Sequence, residues 1–195
     1  ANGDATPAAG GSTQADTGQV AGQVTGTVWV ADEDGDSLTA IDASSSRAVT
    51  TVNGIASPHN VQASPDGATV WAVSGSAQAV VAIDAVTHEL LGSGPTGAGP
   101  AHVVVSPDGD RAYVTNSADD SLSVYESAGA RPAATIPLSA GPHGLRPTAD
   151  GATLVVANTA AGSIDLVDTR SRTRTVSIPV GASPVQVAVD AQARY

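Results

Sequence analysis

The sequence predicts an all-β fold assembled from four copies of one unit, and three observations carry that prediction. First, the segment Ser106-Pro107-Asp108-Gly109-Asp110-Arg111-Ala112-Tyr113-Val114-Thr115-Asn116 returns 42 residues upstream from Ser64 and 42 residues downstream from Thr148. A fixed period of that length marks a repeat architecture. Second, each unit holds four short strand-like runs separated by turn residues, and no run has a helical period. Third, the apolar residues, 41% of the chain, are chiefly Val and Ala, with 2 Trp, 3 Tyr and neither Phe nor Met. Small branched side chains suit thin stacked sheets. Four strands per 42-residue unit is the pattern of a β-propeller blade.

Residues 1–25, rich in Ala, Gly and Thr, have little to bury and read as a disordered leader or tether. The repeats follow over 26–195, as units 26–67, 68–109, 110–151 and 152–190. The first strand of each unit centres on Trp29, Trp71, Tyr113 and Val155. It leaves a Pro-Asp-Gly or Ala-Asp-Gly turn wherever that turn is present, since Pro sets φ and Gly admits positive φ. The second strand runs over Leu38–Asp42, Val80–Asp84, Leu122–Glu126 and Ile164–Asp168. A third, less regular, lies around Ala48–Val52, Leu90–Ser93, Ala133–Ile136 and Thr175–Ile178. Prolines at 58, 100, 142 and 184 then lead into the fourth, at Val61–Ala63, Val103–Val105, Leu145–Arg146 and Val187–Val189.

The phase of the repeat predicts how the ring closes. The first unit opens on the strand that elsewhere follows the turn, with no proline-led strand before it, and the last proline-led strand, Val185–Asp190, has no hairpin partner. Pairing the C-terminal strand with the N-terminal blade closes four blades and covers an exposed sheet edge. The alternative is half of an eight-bladed homodimer, in which a symmetric partner closes both edges.

The sequence Ala112-Tyr113-Val114-Thr115-Asn116 also carries a family signature. The pattern Pro-x-x-x-x-Val-Ser-Pro-Asp-Gly-x-x-x-Tyr-Val-Thr-Asn is met in full from Pro100 to Asn116, and with substitutions in the other units. Over residues 26–190 the chain therefore resembles the YVTN-family β-propeller repeat proteins. The resemblance implies a propeller scaffold, in that family usually of seven blades. Proteins that look like it include copper- and haem-associated electron-transfer proteins and lactonase- or lyase-type enzymes.

Charge excludes several functions. A net charge of −11, with 19 acidic residues against 8 Arg and no Lys, leaves no basic stripe for nucleic acid and disfavours anionic membrane surfaces. With no Cys there is no disulfide, zinc thiolate or cysteine nucleophile. The longest uncharged apolar run, Ala79–Ile83, is too short to span a bilayer. A chain opening on Ala1 suggests a processed, exported protein: secreted, periplasmic or held at the cell surface.

Positions that break the repeat are the candidates for chemistry. His59 and His143 follow equivalent prolines two units apart, and His102 sits one residue later in the unit between them. All three fall at the start of the innermost strand, at one mouth of the channel. Imidazoles converging there could hold Cu or Zn. The one-residue offset of His102 argues against convergence, because alternate strand residues point opposite ways. Asn60, Gln62, Arg146 and Gln186 could add polar contacts to a ligand at the channel mouth, whereas His88 lies in an outer turn and reads as surface.

Asp32-Glu33-Asp34-Gly35-Asp36 resembles half of a calcium loop, but position 43, where the loop needs Glu, holds Ala43, so a solvated turn is expected. Acids present in every unit (Asp42, Asp84, Glu126 and Asp168, and the turn residues Asp66, Asp108 and Asp150) are expected to cap turn amides. No nucleophile elbow, phosphate loop or His-Glu-x-x-His motif is present. The leading expectation is a non-catalytic extracytoplasmic binding or scaffold module, or an accessory subunit, whose faces meet a protein or extracellular polymer. A histidine metal or redox site is the alternative, and a lactonase- or lyase-like enzyme the third.

Overall fold

A computed structural model describes residues 25–126 and 129–190. The expected leader and the chain beyond residue 190 lie outside them. Within the described residues there are 15 strands and no helix. The first sheet has three strands: β1 (Thr27–Asp32), β2 (Ser37–Asp42) and β3 (Arg47–Asn53). The second holds β4 (Pro58–Ala63), β5 (Thr69–Ser74), β6 (Ala79–Asp84) and β7 (Leu90–Pro95). The third holds β8 (Pro100–Val105), β9 (Arg111–Asn116), β10 (Ser121–Glu126) and β11 (Arg131–Pro137). The fourth holds β12 (Pro142–Pro147), β13 (Thr153–Asn158), β14 (Ser163–Asp168) and β15 (Thr173–Pro179). Each sheet is an antiparallel meander in chain order.

Alternation along the strands builds the core, since successive side chains serve opposite faces. On one face of the second sheet Val70, Ala72, Val81 and Ile83 pack with Leu38 and Trp29 of the first. On its other face Trp71, Val73, Val80 and Ala82 pack with Val103, Val105, Ala112 and Val114 of the third. Val104, Tyr113, Leu122 and Val124 then meet Leu145, Leu154, Val156 and Val167 of the fourth. The small residues expected from composition thus form three intersheet layers. Strands β4, β8 and β12 contact one another in succession along one side of the stack, and β1 contacts β4.

The recurrent acids do cap turns. Asp66, Asp108 and Asp150 each accept a hydroxyl two residues back, from Ser64, Ser106 and Thr148, at 2.5–2.6 Å, together with a backbone N–H ahead of them. Gly67, Gly109 and Gly151 complete these turns at positive φ. Asp42, Asp84 and Asp168 accept the N–H of Ser45, Thr87 and Ser171. In the third sheet Glu126 pairs with Arg131 instead.

Closure differs from the sequence expectation. Residues 180–190 form no strand, and among the described residues the first sheet keeps three strands with no ladder on the outer edge of β1. The Val185 carbonyl accepts the Gly144 N–H at 3.0 Å, so the segment leans on β12 rather than β1. The far face of the fourth sheet stays open as a cavity of about 360 Å³ lined by Val155, Ile164, Leu166 and Ile178. On the first sheet Val28 and Val30 are exposed.

Candidate metal centre

Strands β4, β8 and β12 each begin at a repeat proline, and each opens with the same irregularity. Pro58 lies opposite Ser74 while Val61 lies opposite Ala72; matching shifts fall between Pro100 and Val103 and between Pro142 and Leu145. Three steps on the inner strand answer two on its neighbour, which is a bulge, and a bulge re-aims side chains. Strict alternation therefore does not govern the stretch that carries the histidines. The imidazole nitrogens of His59, His102 and His143 lie within 4.8 Å of one another. Ring centroids are separated by 5.9 Å for His59 and His102, 6.0 Å for His59 and His143, and 4.6 Å for His102 and His143.

Each ring has a partner that sets its orientation. Nδ1 of His59 lies 3.4 Å from Glu33 Oε2, and Nδ1 of His143 lies 3.3 Å from the Val185 carbonyl. Both partners only accept, so Nδ1–H is the donor in each contact. Nε2 of His102 lies 3.4 Å from the Gln186 side-chain amide. His102 is buried, His143 half-buried and His59 exposed. Burial pushes the His102 imidazole down to about 4, with His143, His59 and Arg146 acting in the same direction. A ring that stays neutral at pH 7 offers a lone pair to a cation.

Behind the rings, Thr115 ties neighbouring inner strands together. Its fully buried hydroxyl donates to the His143 carbonyl at 2.6 Å and accepts the His102 N–H at 3.2 Å. Glu33, Ser57, His59, Gly75, Ser117 and His143 line a cavity of about 230 Å³ over the cluster.

The other sequence candidates divide. Gln186 reaches the cluster. Asn60 instead accepts the Val103 N–H at 3.0 Å and joins β4 to β8. Arg146 donates to the Leu145 carbonyl and Gln62 to the Ala63 carbonyl, each beside its own backbone. His88 is half-buried and packs edge-on against Trp29, with centroids 5.7 Å apart. The acidic turn spreads its carboxylates among separate partners: Asp32 accepts from Thr39, Asp36 from the Ser57 N–H, and Glu33 faces His59. Sequence reasoning read Glu33 only as part of a solvated turn and passed over Thr115 as scaffold. Glu33 stands 26 residues before its histidine, and Thr115 belongs to a recurring strand motif that reads as scaffold. It also missed Asp165, buried on β14, which accepts the Ser139 N–H and hydroxyl and faces Arg174 at 3.3 Å.

A family model described as lactonase, 7-bladed β-propeller, matches residues 69–190. No curated protein sequence matches the chain. Among solved structures, 1251 chains are similar, so likeness of fold selects no function here. One of them, Kuenenia stuttgartiensis hydrazine synthase, is 24% identical with a TM-score of 0.76, over 80% of this chain and 46% of that one. The present chain spans less than half the length of that protein, and at this identity the likeness is one of fold.

Proposed function

The chain belongs to the lactonase family of seven-bladed β-propellers, and from that premise we propose that its histidine cluster binds a divalent transition metal, zinc or copper, at the mouth of the propeller channel. The observation that carries the proposal is the convergence of three imidazoles from three repeat units, with ligand nitrogens within 4.8 Å of one another. Ligands about 2.0–2.1 Å from a tetrahedral cation stand about 3.4 Å apart, so the cluster has to contract by little more than an ångström. Outer partners on Nδ1 of His59 and His143 are what such ligands ordinarily have. A passive binding face gives no reason for three imidazoles from three units to meet in one place. For that reason the metal reading stands ahead of the passive scaffold.

The His59–His143 centroid distance of 6.0 Å also favours a small ring. These residues lie two units apart, and a seven-unit ring would hold them across a wider channel.

The family match favours a second reading. A cation held by three imidazoles would polarise a carbonyl and lower the pKa of bound water to about 7, chemistry suited to opening a lactone. The test is elemental analysis of the full chain after exposure to Zn²⁺ or Cu²⁺, beside His59→Ala/His143→Ala. About one metal per chain, lost in the double variant, is expected. Absence of near-stoichiometric metal in the unaltered protein removes the proposal and leaves the scaffold reading. Metal-dependent hydrolysis of simple lactones, absent from the double variant, would establish the second.

A further inference from the structure

Resting on the metal reading, we propose that Gln186 is the fourth ligand of the site, so that the cation fastens the segment Pro184–Asp190 across the histidine pocket. The second residue after each repeat proline is Asn60, His102, Gly144 and Gln186 in turn. These four equivalent positions have been given different tasks. Asn60 binds backbone of the next strand, and His102 enters the cluster. Gly144 has no side chain, and a Cβ there would stand 2.5 Å from both the Val185 carbonyl and Gln186 Oε1. The space that Gly144 leaves empty on β12 is the space that Gln186 occupies.

Two further contacts hold the segment there. The Val185 carbonyl accepts the N–H of Gly144 at 3.0 Å and faces Nδ1 of His143 at 3.3 Å. The amide of Gln186 then lies 3.4 Å from His102 Nε2, about the ligand-to-ligand separation on a tetrahedral zinc. Without metal, the amide NH₂ donates to the His102 lone pair. With metal, the cation takes that lone pair and the amide turns over to present Oε1, which leaves no new strain because the two amide orientations occupy the same volume. The donor set becomes three imidazole nitrogens and one amide oxygen, drawn from four successive repeat positions. A cation so held joins β4 to a segment whose Val185 carbonyl already takes a hydrogen bond from β12.

Zn²⁺ affinity and hydrogen exchange of peptides covering 184–190 test this in the full chain, unaltered and as Gln186→Ala and Gln186→Glu. Gln186 is exposed, so the variants are expected to keep the metal-free melting temperature, which is checked first. Expected are a 10–100-fold loss of Zn²⁺ affinity in Gln186→Ala, restored by Gln186→Glu, and slowed exchange of 184–190 on adding Zn²⁺ only where residue 186 can ligate. Equal affinity in Gln186→Ala, or exchange in the unaltered protein that ignores bound zinc, overturns the inference and leaves the three-histidine site intact. Failure of the unaltered protein to bind Zn²⁺ overturns both, and His59→Ala/His143→Ala identifies that outcome.

Discussion

At the residue scale, the interior is tied together by a few polar groups placed among small apolar ones. Tyr125 shows how. Its ring is fully buried between the second and third sheets, and its hydroxyl donates to the Pro95 carbonyl at 2.7 Å. Burial raises its phenol above the ordinary 10.0, so it remains a donor at neutral pH. Tyr125→Phe keeps the ring and strands the carbonyl, and is expected to cost about 1 kcal/mol in urea unfolding. His102 differs in kind. It is a buried ring beside two others, and its neutrality follows from desolvation before any neighbour acts. Packing of this sort makes a lone pair available where an exposed histidine would carry a proton in mild acid.

At the element scale, the turns carry the acid sensitivity. Asp42 is drawn down to about 2, first by the Ser44 hydroxyl and then by Ser45. Asp66, Asp108 and Asp150 are lowered chiefly by hydroxyl donors two residues back, and Asp84 and Asp168 chiefly by backbone N–H groups. A carboxyl held below 3.8 in the folded state takes up its proton later than it does in the unfolded chain. Stability from these turns is therefore complete above that value and is lost as pH falls from about 4 towards 2. Thermal melts across that range should show a monotonic fall, and Asp108→Asn and Asp150→Asn should blunt it. A melting temperature independent of pH between 4 and 2 would remove the account.

At the scale of the whole molecule, the apolar core is nearly one-dimensional, because each hydrophobic cluster among the described residues joins two neighbouring sheets. Its two outer faces remain partly uncovered, with Val176, Ile178 and Val180 exposed at one end and Val28 and Val30 at the other. A cation bridging β4, β8 and β12 would couple units that otherwise communicate only in sequence. At a free Zn²⁺ concentration one hundred times the dissociation constant, the stabilisation is about 2.7 kcal/mol. For a chain of this size that corresponds to about 5–10 °C in melting temperature. Calorimetry should show the rise in the unaltered protein and its absence in His59→Ala/His143→Ala.

The sequence by itself determined the local architecture. The 42-residue period, the Pro-Asp-Gly turns and the alternation of Val and Ala specify strands, hairpins and which faces pack, because these depend on φ restriction and period-two geometry within a few residues. It also marked the histidines as departures from the repeat. What it could not supply was their convergence. His102 stands one residue out of phase with His59 and His143, and alternation alone sends it to the other face. The bulges after Pro58, Pro100 and Pro142 suspend that alternation and bring three rings together. A bulge is set by pairing with the adjacent strand, a relation the linear sequence does not display. The same holds for the final segment. Val185–Asp190 repeats a strand pattern, yet among the described residues it joins no ladder, and the Val185 carbonyl takes its hydrogen bond from Gly144. Local chemistry fixed the elements, and contacts between elements distant in the chain decided where the reactive side chains meet.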